Sequence, residues 1–229
     1  MDKFYKELIK NKELEIFVVA PHSQQSGASH SLTLKRPIRV EKIRDKFFII
    51  DGTPTDCVLL AYHDLICKKI DLVVSGINHG PNMGSDVFYS GTVAAALQAA
   101  NFGIKSMAIS LTSQEYNDFG DAVKYSEGLI CRVLSSKTNN LILNVNIPEG
   151  KIRGEKITRL GKRIYHDKVI RNNEKEDVMY SIIDGVLSYT VDANTDFKAV
   201  DERFVSITPL KLDLTDYQAV KDLAQYLDV

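Results

Sequence analysis

The sequence has no excess of charge of either sign and few cysteines. Its 29 lysines and arginines are balanced by 30 aspartates and glutamates, whereas proteins that bind nucleic-acid polymers usually carry a basic face. The three cysteines, Cys57, Cys67 and Cys131, are widely spaced and form no C-x-x-C pair. These absences exclude a general nucleic-acid binder, a disulfide framework and a cysteine zinc site.

Long apolar runs are missing as well. No stretch approaches the roughly 18 consecutive apolar residues that cross a membrane. The first residues carry scattered charges where a secretion signal has an apolar core. We therefore predict a cytoplasmic protein without a membrane partner.

Several common catalytic patterns are also absent. Gly76, Gly80 and Gly84 do not follow the G-x-G-x-x-G spacing of dinucleotide-binding loops, and no Gly-Lys-Ser/Thr follows them. The five histidines show no metal-ligand spacing such as H-x-x-x-H. Ser26 lies outside the G-x-S-x-G pattern of acyl-transfer nucleophiles. The sequence therefore matches none of these motifs.

The first 150 residues contain an alternation of apolar strands and amphipathic helices. With 44% hydrophobic and 26% charged residues, the chain can bury a full core. Strands separated by helices of about a dozen residues predict an α/β fold with a doubly wound, mostly parallel sheet. The predicted strands are 14–20, 71–74, 105–110 and 141–147, with short strands in 32–50, and the predicted helices are 2–12, one that begins near Thr55 or Asp56, 92–103 and 118–134.

Residues 151–229 differ in pattern and are predicted to extend a core domain at 1–150. Stretches that favour strands surround a polar tip at 172–177, which predicts a long hairpin that projects from the sheet. A returning strand at 204–210 and a final helix at 215–227 complete the predicted extension.

Two loops follow the carboxyl ends of predicted strands, where open α/β sheets bind ligands. The loop at 23–31 follows the first strand, and the loop at 75–92 is rich in glycine and in oxygen donors that suit Mg²⁺ or Mn²⁺. Its last residues, 90–92, begin a helix whose N–H groups could hold a phosphate. A long turn with an ordinary helix cap is the alternative. The oxygen donors are Ser75, Asn78, Asn82, Ser85, Asp86, Ser90 and Thr92.

With these loops in view, the sequence resembles the SurE family of survival proteins, which are metal-dependent 5′/3′-nucleotidases. The segments that carry the resemblance occur in family order over nearly the whole chain. They are VVAPHSQQSGASHSLTL at 18–34, GTPTDCV at 52–58, DLVVSGINHGPNMGSDVFYSGTVAAA at 71–96, LNVNIP at 143–148 and TDFKAVDERFVSITPL at 195–210.

The resemblance implies one divalent metal ion, Mg²⁺ or Mn²⁺, held by two adjacent aspartates, a serine and an asparagine. It assigns the serine to Ser26 and the asparagine to Asn78. The residues that it assigns to the pocket for the substrate phosphate are Asn82, Ser90, Gly91 and Thr92.

The chain departs from the family pattern at its front. The family opens with an apolar strand that runs into an N-D-D-G turn with both aspartates, whereas this chain starts at Met1, just beyond that turn. Asp2 cannot replace the pair because it stands alone at the start of a predicted helix. We expect the natural start to lie upstream of Met1; the alternative is a truncated chain with an impaired site. A smaller departure is Arg203, where the family usually has glycine.

These observations lead to one main functional hypothesis, a phosphomonoesterase that hydrolyses nucleoside 5′-monophosphates, with 3′-monophosphates and short polyphosphate as additional candidate substrates. The alternative is a catalytically impaired homologue that only binds nucleotides. A mere assembly scaffold would leave the glycine-rich loops unexplained. The elements at 160–191 and 215–229 resemble those that family members exchange between subunits, which implies a homodimer or homotetramer.

Overall fold

A computed structural model describes residues 2–113, 118–175, 178–190 and 192–227. Strands and helices alternate along the first part of the chain, as the sequence pattern predicts. The strands are β1 (Val18–Pro21), β2 (Val40–Arg44), β3 (Phe47–Ile50), β4 (Leu72–His79), β5 (Lys105–Leu111), β6 (Ile142–Ile147), β7 (Glu155–Ile157), β8 (Arg163–Lys175), β9 (Val178–Tyr189) and β10 (Val205–Pro209). The helices are α1 (Asp2–Leu8), α2 (Pro54–Leu60), α3 (Gly91–Asn101), α4 (Gly120–Ser135), α5 (Asp196–Asp201) and α6 (Tyr217–Tyr226).

The strands form two sheets and a separate hairpin. A small sheet has the order β1-β3-β2, and a larger one has the order β4-β5-β6-β10-β7. Strands β4, β5 and β6 run parallel, with Val74 opposite Met107 and Met107 opposite Leu143. Strand β10 is antiparallel to β6 and parallel to β7. The predicted mostly parallel α/β sheet is confirmed.

Helices cover both faces of the larger sheet because its central strands are apolar on both sides. On β5, Met107 and Ile109 pack in a core with α1, α4 and β6. Ala108, which points to the opposite face, packs against Val93 and Ala96 of α3. Strands covered on both faces carry continuous apolar runs, which is why these segments could be predicted from sequence.

Helix α2 begins earlier than predicted. Its N-cap is Thr53, whose hydroxyl accepts a hydrogen bond from the Asp56 N–H at 3.1 Å, while the Asp56 carboxylate accepts from the Thr53 N–H at 2.8 Å. This reciprocal capping places Pro54 at the first helical position, where its missing N–H costs nothing. The predicted start near Thr55 or Asp56 was therefore late, because Asp56 closes the cap from inside the first turn.

The first predicted strand, 14–20, was too long at its amino end. Only Val18–Pro21 forms β1. Leu14 and Ile16, which precede it, instead pack against the core that α1 and α4 share. Their burial explains the apolar pattern without strand pairing.

The carboxyl-terminal part follows the predicted order of hairpin, strand and helix. Strands β8 and β9 pair antiparallel over most of their length, and β10 joins the larger sheet. Of the polar tip predicted at 172–177, Glu176 and Asp177 lie outside the described residues. The division into parts 1–150 and 151–229 stays a prediction. Every helix in the described part of the chain is too short or too polar to span a lipid bilayer.

Glu155 ties β7 to α4. Its carboxylate accepts two hydrogen bonds from the Arg132 guanidinium, both at 2.7 Å, and one from the Tyr125 hydroxyl at 2.6 Å. These donors stabilise the charged form and lower the pKa of Glu155 from 4.5 to about 2, with Arg132 as the largest cause.

The pH dependence of stability should report this contact. A carboxylate with a depressed folded-state pKa contributes stability above its unfolded pKa, and that contribution is lost as the pH falls from about 4.5 toward 2. Glu155→Gln has no carboxyl group to titrate, so the variant should lose less unfolding free energy than the wild type as the pH falls. We expect a difference of only about 0.5–1 kcal/mol because the pair is half-exposed. Urea unfolding at pH values from about 6 to about 2.5, a range that covers most of this titration, measures the loss of stability. Parallel curves for the variant and the wild type would contradict the assignment.

Candidate active site

A cavity of about 1050 Å³ lies between β1 and β4. The loop that follows β1 and the loop that follows β4 both border it. The six residues of this chain that the sequence resemblance assigns to the metal and phosphate sites all line this cavity. They are Ser26, Asn78, Asn82, Ser90, Gly91 and Thr92.

Strands β1 and β4 run in the same direction on the two sides of the cavity. Just before them, the Lys68 ammonium contacts the Glu15 carboxylate at 2.8 Å. Beyond their carboxyl ends, the Ser29 N–H donates to the Tyr89 carbonyl at 3.1 Å. The two loops therefore meet at the carboxyl edge of the strands, where the sequence predicted the site.

The two sheets do not pair across this cavity. Strand β4 is only half-buried over Leu72–Ser75, whereas β5, which has a neighbour on each side, is almost wholly buried. The half-buried residues of β4, which include Val73 and Val74, form an apolar wall of the cavity. The polar residues of the site lie at its carboxyl end.

Buried side chains from neighbouring strands hold the backbone at Asn82. The Asn146 amide accepts from the Asn82 N–H at 2.9 Å and donates to its carbonyl at 3.0 Å. The Asn144 amide donates to the same carbonyl at 2.8 Å, and the Asn82 amide donates to the Ser110 hydroxyl at 2.7 Å. The loop after β4 is thereby fixed to β5 and β6.

A second anchor holds Gly84, two residues further along. The buried Asp196 carboxylate accepts from the N–H groups of Gly84 at 2.7 Å and Gly161 at 2.8 Å. Burial outweighs these bonds and raises the pKa of Asp196. Gly84 has φ +54°, and a Cβ there would approach the Gly161 carbonyl oxygen to 2.7 Å. Glycine is required because both the conformation and the space exclude a side chain.

The two residues predicted to hold a metal come from different elements, Asn78 from β4 and Ser26 from the loop after β1. Strand β4 extends through His79, so 75–79 of the predicted loop 75–92 are strand. Asn78 lies near the end of β4 opposite Ser110, and its amide nitrogen donates to the Gly80 carbonyl at 2.9 Å. Its amide oxygen is the atom that remains as a cation donor. Ser26 is exposed in the loop after β1, next to Gly27 at φ +73°.

The residues predicted to bind phosphate surround the amino terminus of α3. Ser90 is the N-cap, and its hydroxyl accepts from the Val93 N–H at 3.2 Å. The first N–H groups of a helix have no partner within the helix and carry its positive dipole end. At Gly91 an added Cβ would lie 3.0 Å from Pro54 of α2, so the two helix starts are in close contact.

Asp86, one of the predicted oxygen donors, is engaged elsewhere. Its carboxylate accepts from Arg163 Nε at 3.0 Å and from the Tyr165 hydroxyl at 2.7 Å, and Arg163 Nη2 contacts it as well. This pairing fastens the base of the hairpin to the loop after β4. Among the described residues, no group of three or more histidines, cysteines, aspartates or glutamates could hold a metal ion. Ser26 and Asn78, the two residues of this chain that the resemblance assigns to the metal, both line the cavity and offer neutral oxygen donors.

Sequence reasoning missed the residues that shape the site without facing a ligand. Ser110, Asn144 and Asn146 were assigned only to strands, although they hold the loop at Asn82. A signal was present, because two asparagines alternate within the otherwise apolar run LILNVNI. Polar side chains in a fully buried strand require hydrogen-bond partners.

Asn146→Leu tests this anchor. Leucine has a similar size but cannot accept from the buried Asn82 N–H, so we expect the free energy of unfolding to fall by about 1–3 kcal/mol. That loss corresponds to a melting temperature lower by roughly 3–10 °C. Thermal denaturation followed by circular dichroism measures it. Asn101→Leu, at the exposed end of α3, is the control, and equal melting temperatures for both variants would refute the anchor.

Comparison with known proteins gives consistent matches. The family model described as "Survival protein SurE" matches residues 1–167. The chain is 42% identical to the 5′-nucleotidase SurE of Pelobacter propionicus, over 93% of this chain and 89% of that protein. It is 39% identical to the 5′-nucleotidase SurE of Natranaerobius thermophilus, over 96% of this chain and 91% of that protein. The crystal structure of the SurE protein from Aquifex aeolicus superposes with a TM-score of 0.87 at 37% identity, covering 100% of this chain and 94% of that one.

Proposed function

The chain belongs to the SurE family, and from that membership we propose that it is a metal-dependent phosphomonoesterase that hydrolyses nucleoside 5′-monophosphates to nucleoside and phosphate. The structural observation that carries the proposal is the cavity at the carboxyl ends of β1 and β4, which gathers polar and small residues beside the start of α3. The names of the relatives favour this hydrolase over a homologue that only binds nucleotides.

The amino terminus of α3 is the proposed phosphate site. Its first N–H groups and the hydroxyls of Ser90 and Thr92 provide donors for phosphoryl oxygens, and Gly91 leaves the backbone uncovered. The same donors would offset the charge that develops on those oxygens during hydrolysis. Asn82 borders the pocket with its backbone held by Asn144 and Asn146, so this wall keeps its place when substrate binds.

Ser26 and Asn78 are the proposed protein ligands of one divalent ion, Mg²⁺ or Mn²⁺. Hydroxyl and amide oxygens suit these hard cations by type. A bound ion would polarise a phosphoryl oxygen and lower the pKa of the attacking water. The family pattern adds two adjacent aspartates to this pair as the charged ligands of the ion.

Phosphate release tests the proposed reaction. We expect the protein to release phosphate from nucleoside 5′-monophosphates with Mg²⁺ or Mn²⁺ and to stop when a chelator is added. Asn78→Ala and Ser26→Ala should each lower kcat/KM by roughly 10–100-fold because each removes a cation donor. The substrate panel includes nucleoside 3′-monophosphates and short polyphosphate.

Two exposed residues away from the cavity serve as matched controls. Asn101→Ala, at the end of α3, and Ser135→Ala, at the end of α4, should retain the wild-type rate. Wild-type rates in both Asn78→Ala and Ser26→Ala would refute the assigned metal site, and release that is unaffected by chelator would refute metal dependence.

Because the proposed ion would polarise a phosphoryl oxygen of the substrate, metal and nucleotide should bind with positive coupling. Titration calorimetry with Mn²⁺ should show tighter binding, by about fivefold or more, when a phosphonate analogue of a nucleoside 5′-monophosphate is present. The analogue should gain the same factor from Mn²⁺, since binding linkage is reciprocal. Asn78→Ala should abolish the gain, whereas equal Mn²⁺ affinity with and without the analogue would contradict the coupling.

We also propose a homodimer or homotetramer that works in the cytoplasm. Helix α6 supports an assembly role, because Val220 and Leu223 on its surface are exposed. The long β8–β9 hairpin extends outside both sheets. An apolar face on an amphipathic surface helix is typical of an interface.

A further inference from the structure

Two tyrosine rings line the cavity beside the proposed phosphate site. Tyr89 directly precedes the N-cap residue Ser90, and Tyr165 comes from β8. Their ring centroids are 6.4 Å apart and their planes are nearly perpendicular, at 88°. Tyr89 nevertheless remains 61% exposed. One large aromatic surface thus faces the cavity without a full complement of packing neighbours.

Hydrogen bonds hold the backbone of Tyr89 on both sides. Its N–H donates to the Asp86 carbonyl at 3.0 Å, and its carbonyl accepts from the Ser29 N–H at 3.1 Å. The backbone that carries the ring is therefore hydrogen-bonded both within its own loop and to the loop after β1. An aromatic side chain has only two rotatable bonds, so little further entropy is lost when a ligand packs on it.

Tyr165 supports the ring from the hairpin side. Its hydroxyl donates to Asp86 Oδ1 at 2.7 Å, and Arg163 binds the same carboxylate. The polar end of Tyr165 is thus occupied, and its contribution to the cavity is its ring. Pairing with Arg163 also offsets the negative charge of Asp86, which removes a source of repulsion toward an anionic substrate.

We propose that Tyr89, supported by Tyr165, stacks against the base of the substrate and selects phosphomonoesters that carry a planar aromatic group. This inference rests on the proposed function, since it places the phosphate at the start of α3. Stacking on an aromatic side chain contributes binding energy without hydrogen-bond recognition, because every base has a π face. Tyr89 would then separate nucleotides from sugar phosphates of the same charge.

Phe88 provides a matched control within the same segment. It is 60% exposed, almost the same as Tyr89, but it is not among the described residues that line the cavity. A loss that follows Tyr89→Leu and not Phe88→Leu therefore reports the cavity surface and not general loosening of the segment.

The test compares adenosine 5′-monophosphate with ribose 5-phosphate, which lacks the base. Tyr89→Leu should raise KM for the nucleotide by about 5–100-fold and leave kcat/KM for ribose 5-phosphate within about twofold. Tyr89→Phe keeps a flat ring and should restore nucleotide KM to within about threefold of wild type. Phe88→Leu should change neither substrate.

Equal losses on both substrates, or unchanged nucleotide KM in Tyr89→Leu, would overturn the stacking proposal. If the wild-type protein releases phosphate from neither compound, the proposed function fails, and calorimetric binding of adenosine 5′-monophosphate decides the stacking separately. A fivefold or greater weakening in Tyr89→Leu supports stacking, and equal affinity in Tyr89→Leu and wild type refutes it.

Discussion

The shape of the site depends on the hydrogen bonds that buried amides make to the backbone at Asn82. A glycine-rich loop has many accessible conformations, and ordering it is entropically costly. Asn144 and Asn146 hold both backbone groups of Asn82, and Asp196 holds Gly84 shortly afterwards. Because these side chains belong to packed elements of the core, the loop inherits their rigidity. The start of α3 and the Tyr89 ring are positioned by the same segment.

The architecture could be predicted because burial on both faces leaves a strong pattern in the sequence. Strands β5 and β6 are almost wholly buried, and their apolar runs stand out against helices of regular spacing. The sequence predicted both site loops at the carboxyl ends of strands, and the loops meet there although β1 and β4 belong to two separate sheets. Ser26 and Asn78 were assigned by family resemblance, and the structure brings both to one cavity.

Long-range side-chain pairing could not be predicted. From the sequence alone, Asp86 is an available oxygen donor in its loop, but Arg163 and Tyr165, distant in sequence, bind it. The neighbouring residues do not distinguish a carboxylate that is available to a cation from one that is already paired. Leu14 and Ile16 show the same limit, because burial beside α1 and α4 imitates the pattern of a strand. In both cases tertiary contacts override what the neighbouring residues indicate.

The ion pair between Asp86 and Arg163 gives the hairpin a mechanical link to the cavity. Asp86 accepts hydrogen bonds from both Arg163 and Tyr165 at the base of β8, so a displacement of that base would act directly on Asp86. In the proposed oligomer, a subunit contact that displaces the hairpin would also displace the wall of the proposed nucleotide pocket. A nucleotide bound against that wall would in turn affect the subunit contact. Assembly and occupancy would then be thermodynamically linked, each altering the strength of the other.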